Sequence, residues 1–258
     1  MSFWKWLLKS FYDKRTIAYS RLRPITSTIW HVLFVMLVAS IPFLITMSLT
    51  AISGVNQLKD TLQHDLPPFQ LEGGTLQWES DDVYLLDEPD EPAILIDPNN
   101  TYSEEELVQL TNGIALQQNE ILLINNGSLQ AIPYTILGVQ EFSKEQLSDR
   151  VADLQGFLPI LLGIGTVFMY SGLAGLAFLG ITVLAFIGLL LRGSKKFLEY
   201  RHLWLMTAHA MTLPAVFLYW IDTLFTDVPF SAFLITTFAI LFFAMKSIPL
   251  PTRKAKAP

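Results

Sequence analysis

The sequence predicts a membrane all-α bundle of four transmembrane helices with a small α+β extracytoplasmic domain inserted after the first. Three observations predict it. The 258 residues are 52% hydrophobic and only 16% charged, where a soluble domain carries about a quarter charged residues. Uncharged apolar runs long enough to cross a bilayer recur along the chain. Of the 23 acidic residues, which against 17 basic ones give a net charge of -6, 19 crowd between the first two of those runs. The chain has no cysteine, which excludes a disulfide scaffold, a thiolate metal site and a cysteine nucleophile.

Residues 1–28 form a cytoplasmic amphipathic segment. SFWKWLLKSFYDK places Phe3, Trp4, Leu7, Leu8 and Phe11 on one helical face, with Lys5, Lys9 and Asp13 opposite. Trp6 and Lys14 fall off this pattern. Aromatic and basic residues on one such helix suit the headgroup layer of a membrane. Residues 29–53 are the first span, too long for a signal-peptide core and without a small-residue cleavage pattern behind it, so it reads as a retained helix. Residues 54–156 form the external domain, followed by a long second span at 157–191. A cytoplasmic loop at 192–202, a third span at 203–221, an external loop at 222–229, a fourth span at 230–247 and a cytoplasmic tail at 248–258 complete the order.

Charge sets the orientation. Residues 1–28 carry six basic side chains against Asp13 alone, while residues 54–156 carry 19 of the 23 acids and only Lys59, Lys144 and Arg150. Arg192, Lys195, Lys196 and Arg201 oppose Glu199 in the next loop. Asp222 and Asp227 stand alone, and Lys246, Arg253, Lys254 and Lys256 follow. Basic and acidic segments therefore alternate, which places both termini in the cytoplasm of a plasma membrane protein. The run 157–191 reads as one long helix, because two crossings would put the basic loop and tail outside. Pro159 suits its first turn, and six glycines allow close packing or bending; Ser171 and Gly175 form a small-x-x-x-small pair.

Inside the external domain, Val55, Leu58 and Leu62 continue the first helix until Pro67-Pro68 stops it. Ser143-Lys-Glu-Gln146 has capping-box spacing ahead of Leu147, Val151 and Leu154, so the domain enters and leaves through a pair of helices. Between them, residues 69–78 read as a hairpin around Gly73-Gly74, and residues 120–132 as a stronger one around Asn126-Gly127. Residues 83–86, 93–96 and 114–116 are further strands. Ser103-Glu-Glu-Glu106 heads a short helix.

Candidate chemistry is sparse. His31 and His209 lie inside apolar spans, toward the same side as Glu199, Arg201 and His202; an ionisable group at such a depth is a functional candidate by default. His31, His209 and Glu199 are therefore the candidate intramembrane polar site. An enzyme using them needs the three side chains within hydrogen-bond reach or one water apart. Neutral histidines bonded between helices are the plainer expectation. Trp78, Tyr84 and Tyr102 are the candidate external binding surface, with Tyr134 a further aromatic able to stack on a sugar or peptide; core packing is the alternative for each.

Asp81, Asp82, Asp87, Glu88, Asp90 and Glu91 form an acidic cluster that reads as solvated surface. Asp97-Pro-Asn99-Asn-Thr101 starts like a calcium loop, but Tyr102 stands where the glycine belongs and Val108 where the bidentate glutamate belongs. Asn99-x-Thr101 and Asn126-x-Ser128 match a glycosylation acceptor pattern, relevant only in a eukaryotic secretory pathway. No hydrolase, phosphate-loop or dinucleotide motif is present, and no carboxylate lies inside a span. No enzyme, cofactor, resident metal or nucleic-acid partner is expected. The expected partners are membrane lipid and a protein of the membrane or envelope.

FWKWLLKSFYDKR, RLRPITSTIWHVLFVMLVASIP, PPFQLEGGTLQW, AILIDPNNT and NGIALQQNEILLINNG together resemble a bacterial membrane family of unknown function, some of whose members are labelled maltodextrin-utilisation proteins. The resemblance implies a multi-pass protein of a Gram-positive-type plasma membrane, associated in some members with sugar import. It carries no catalytic residues. The residues themselves lead to a non-enzymatic accessory or sensory membrane protein whose acidic external domain binds a partner or an envelope component. The alternative is an accessory component of a transporter for maltodextrin-type or lipid-linked sugars.

Overall fold

The computed structural model describes residues 2–78, 82–87, 92–110, 112–136 and 141–249. Asp81, Glu88, Asp90 and Glu91 of the acidic cluster, and the basic tail residues Arg253, Lys254 and Lys256, lie outside them. The chain is mostly helical, with a small sheet region, and divides into two compact units: Met1–Thr50 with Ile160–Pro258, and Ala51–Pro159. Ile25–His64, Lys144–Leu191 and Tyr200–Leu224 are each long and apolar enough to cross a membrane; the apolar helix Phe230–Lys246 is shorter.

The first unit is all helical. Helix α1 (Phe3–Ser10) and α2 (Lys14–Tyr19) lead into α3 (Ile25–Asp60). Asp13 caps α2, accepting from the Arg15 N–H at 2.9 Å and the Thr16 hydroxyl at 2.7 Å. The Thr16 hydroxyl is the main reason its carboxyl titrates below the usual carboxylate range. Pro42 sits inside α3 and has no N–H for the Val38 carbonyl four residues back. That carbonyl accepts instead from the indole N–H of Trp220, at 3.2 Å.

Helix α5 (Lys144–Leu191) is one element throughout, contributing to both units. Pro159, expected in a first turn, lies in the interior of α5 instead, because the Ser143–Gln146 capping box starts the helix at Lys144. The membrane-length segment Tyr200–Leu224, which contains the apolar run 203–221, is interrupted at Met211 into α6 (Tyr200–Ala210) and α7 (Thr212–Leu224). Pro214 explains the break, since its ring removes the donor that the Ala210 carbonyl would need. Helix α6 is the buried axis of this unit: Leu203 and every residue from Leu205 to Ala210 are buried. Around it pack Ile17 and Ala18 of α2, Ala185 of α5 and Leu241 and Ala244 of α8 (Phe230–Lys246).

The second unit carries two sheets. Strands β1 (Gln70–Glu72), β2 (Thr75–Gln77) and the late β8 (Glu141–Ser143) form an antiparallel sheet in the order β2-β1-β8. Gly73 and Gly74 turn β1 into β2 with φ of 59° and 77°, conformations open to glycine at little cost. Strands β3 (Tyr84–Leu86), β4 (Ala93–Asp97), β5 (Asn112–Gln117), β6 (Glu120–Asn125) and β7 (Ser128–Pro133) form the larger sheet in chain order. Its β6–β7 turn, Asn126-Gly127, has both φ values positive, as a tight hairpin requires.

One pair departs from the antiparallel pattern. Strands β4 and β5 run parallel, joined through the short helix α4 (Glu104–Val108), which opens on the Ser103–Glu106 capping box. Their contact is close at its start: a Cβ on Gly113 would meet the Ala93 carbonyl oxygen at 2.4 Å, so only glycine fits there. Side chains alternate across this sheet. Ile94, Ile96 and Leu116 pack with Leu62, Phe69 and Tyr134, whereas Leu95, Ala115 and Leu122 pack with Leu107. The buried Tyr134 hydroxyl donates to the Gln117 carbonyl at 2.9 Å, and burial, then the nearby Glu120 charge, pushes its phenol pKa up. Within this unit the ends of α3 and α5 are paired. Lys59 Nζ donates to Gln155 Oε1 at 3.0 Å, and Gln155 Nε2 donates to Asn56 Oδ1 at 2.9 Å.

Candidate functional site

His31 of α3 and His209 of α6, 178 positions apart in the sequence, are stacked with ring centroids 4.0 Å apart and planes 36° off parallel. The break at Met211 prepares the site. It leaves His209 in the last turn of α6 and Thr212 at the head of α7, where the Thr212 hydroxyl donates to the His209 carbonyl at 2.9 Å. Thr212 Oγ1 also lies 2.9 Å from His31 Nε2. On the other side, Ser10 of α1 donates its hydroxyl to the Trp6 carbonyl at 2.8 Å and lies 3.0 Å from His209 Nδ1. All four of these side chains are buried.

The hydroxyl protons set the tautomers. Each hydroxyl has one proton. With both protons given to the carbonyls, Ser10 Oγ accepts from His209 Nδ1–H and Thr212 Oγ1 from His31 Nε2–H, and with either given to the ring the roles reverse. The other nitrogens, His209 Nε2 and His31 Nδ1, are buried and without a hydrogen-bond partner among the described residues. A buried unsatisfied polar atom costs about 1–3 kcal/mol, so two in adjacent rings are an expensive arrangement for packing alone.

A column of flat groups extends the stack. The Arg23 guanidinium lies 4.7 Å over the Trp6 ring, Trp6 is 5.9 Å from His209, and Phe3 is 6.4 Å from His31, edge to face. Arg23 is itself fixed by donating to Ser27 Oγ at 2.6 Å. Trp6, which falls off the apolar face expected of α1, is thereby accounted for. Leu7 and Ser10 turn into the bundle together, while Trp4 and Leu8 of the expected face are exposed. Sequence reading missed Ser10, Thr212 and Trp6; only the misplacement of Trp6 and the presence of Pro214 signalled them.

Glu199 does not join the pair. It is the N-cap of α6, ten residues before His209 and thus ~15 Å along the helix axis. Its side chain takes part in a capping box in which its own backbone N–H donates to His202 Nδ1 at 3.1 Å. The catalytic grouping of His31, His209 and Glu199 is therefore not assembled.

In the sheet unit, Trp78 and Tyr84 come together, with ring centroids 6.4 Å apart, and the Trp78 indole N–H donates to the Asp82 carbonyl at 3.1 Å. Tyr102 is not with them; it packs into the cluster around Leu95 and Leu107. Its backbone N–H donates to Asp97 Oδ2 at 2.8 Å, so Asp97, fully buried, closes its own loop. Among the described residues no three histidine, aspartate or glutamate side chains are grouped to hold a metal ion. A shallow groove of about 190 Å³ runs beside Trp78, walled also by Gln70, Gln77 and Glu145.

Fold and site together define a class: helical proteins with several membrane-length apolar helices, a buried histidine contact between them and a small sheet unit in the chain between two of the helices. The chain belongs to the DUF1189 family, described as a protein of unknown function, whose family model matches residues 4–247. No curated protein and no solved structure matches it.

If Ser10 is the acceptor that anchors α1, Ser10→Ala leaves the His209 Nδ1–H buried and unpaired. The substitution is expected to cost about 1–3 kcal/mol of unfolding free energy in detergent, and Ser10→Thr, which restores a hydroxyl, to recover most of it. Equal stability of the alanine variant and the parent would show that the bond is not made.

Proposed function

We propose that this protein is a non-enzymatic accessory or sensory integral membrane protein. In this reading α3, α5, the α6–α7 pair and α8 are four spans of a Gram-positive-type plasma membrane, and both termini are cytoplasmic. The sheet unit lies outside, where its acidic surface binds a protein partner or an envelope component. The distribution of charge supports the orientation, and at 17 residues α8 reaches the lower limit of a span.

One observation carries the sensory part. A single unbroken helix, α3, supplies His31 to the stack on which α1 rests and Val55 to the core of the sheet unit. A ligand that displaces the outer end of α3 would load the contact that holds Trp6 and Ser10. Coupling of this kind needs a ligand that favours one arrangement over the other.

Two measurements test the proposal. A reporter fused after Lys196 should read as cytoplasmic, and an external signal would overturn the topology. Purification of the tagged full-length chain in mild detergent should recover a stoichiometric partner, and repeated recovery of the chain alone would count against a partner-binding role.

A second reading, an accessory role in uptake of maltodextrin-type sugars, is favoured by the groove beside Trp78. An indole face next to two amides and a carboxylate is the chemistry that stacks on and hydrogen-bonds a sugar ring. Titration with maltodextrin should then change the tryptophan fluorescence of the parent and leave Trp78→Ala silent. No change in the parent at millimolar sugar would remove this reading.

A further inference from the structure

We propose that the first unit holds one lipid chain in a slot between α5, α7 and α8, and that Asp222 selects a lipid with an ammonium-bearing head group. The slot has a volume of about 300 Å³, within the range of small-ligand sites. It is long rather than round: its wall on α5 runs from Leu173 to Leu184, ~17 Å of helix, and a second wall runs the same distance from Met211, just before α7, to Asp222. Leu176, Ala215 and Leu234 make the middle apolar. Gly180 keeps it open, since a Cβ there would touch only Leu234 Cδ2, at 3.9 Å. Apart from Thr237 on α8 the length of this cavity is walled by apolar side chains, which fits an aliphatic chain better than water.

The charge lies at one end. Tyr219, Asp222 and Val228 line the slot where α7 gives way to the loop before α8. Asp222 Oδ1 accepts from the Val228 N–H at 2.7 Å, which fixes the carboxylate at that end. Residues 222–229, the end of α7 and the loop that follows it, contain two aspartates and no basic residue. The nearest basic residues along the chain, Arg201 and Lys246, sit at the first turn of α6 and the last turn of α8. A carboxylate closing an apolar slot, with no basic residue in its own or the following turns, calls for a positive group on the occupant. A phosphatidylglycerol head would meet like charge there; an aminoacylated head would not.

The inference rests on the membrane placement proposed above, and not on any protein partner. It is tested by native mass spectrometry of the full chain from mixed micelles containing equal amounts of lysyl-phosphatidylglycerol and phosphatidylglycerol with the same acyl chains. The parent should retain one lipid, with the lysyl form preferred roughly fivefold, the worth of one partly exposed ion pair. Asp222→Asn keeps an oxygen for the Val228 N–H; it should retain lipid but lose the preference. Gly180→Leu fills the slot and should lose both lipids. Equal retention of the two lipids by the parent would overturn the head-group assignment, and undiminished retention by a folded Gly180→Leu would overturn the slot. If that variant does not fold, the comparison of the parent with Asp222→Asn decides alone. A misplaced Lys196 reporter would fail the topology without changing these ratios, so the two failures are distinguishable.

Discussion

A buried polar contact between apolar helices governs the first unit. Apolar surfaces attract without direction, because hydrophobic burial scales with the area removed from water and not with register. Register then depends on shape and on the few hydrogen bonds that must be made. Here the imidazoles of His31 and His209 link α3 to α6, the Thr212 hydroxyl links both to α7, and the Ser10 hydroxyl links them to α1. Four helices are held at one point by two hydroxyl groups and two rings. Sliding any of them by one residue would strand at least one further donor away from water.

Two prolines make the remaining arrangement possible, each by withholding a donor. Pro214 splits the third apolar segment, which frees the backbone around Met211 and lets Thr212 turn toward both histidines. Pro42 frees the Val38 carbonyl, and Trp220 of α7 takes it. A helix interrupted in this way exposes backbone groups that neighbouring side chains can use, and the neighbours become fixed in the process.

Local features were legible in the sequence because their causes are local. The Ser143–Gln146 and Ser103–Glu106 capping boxes, the Gly73-Gly74 and Asn126-Gly127 turns and the apolar helices all follow from residues within a few positions of each other. Contacts across the chain were not legible. Depth in an apolar run singled out His31 and His209, but no local pattern announces that rings 178 positions apart meet, and nothing near Ala93 announces that Gly113 pairs with it in parallel. Strand β8 is three residues long and gains its identity only from pairing with β1. Trp6 was visible as an exception to the amphipathic pattern of α1, and the exception marked the face that meets the histidines.

The pairing of Asn56 and Lys59 with Gln155 puts the entrance and exit of the sheet unit side by side. An insertion whose two ends are adjacent makes no demand on what is carried between them beyond that spacing. The unit is in this sense a cassette: another fold with neighbouring ends could be grafted between the same two helices, and the sheet unit could diverge freely while the histidine contact stayed unchanged.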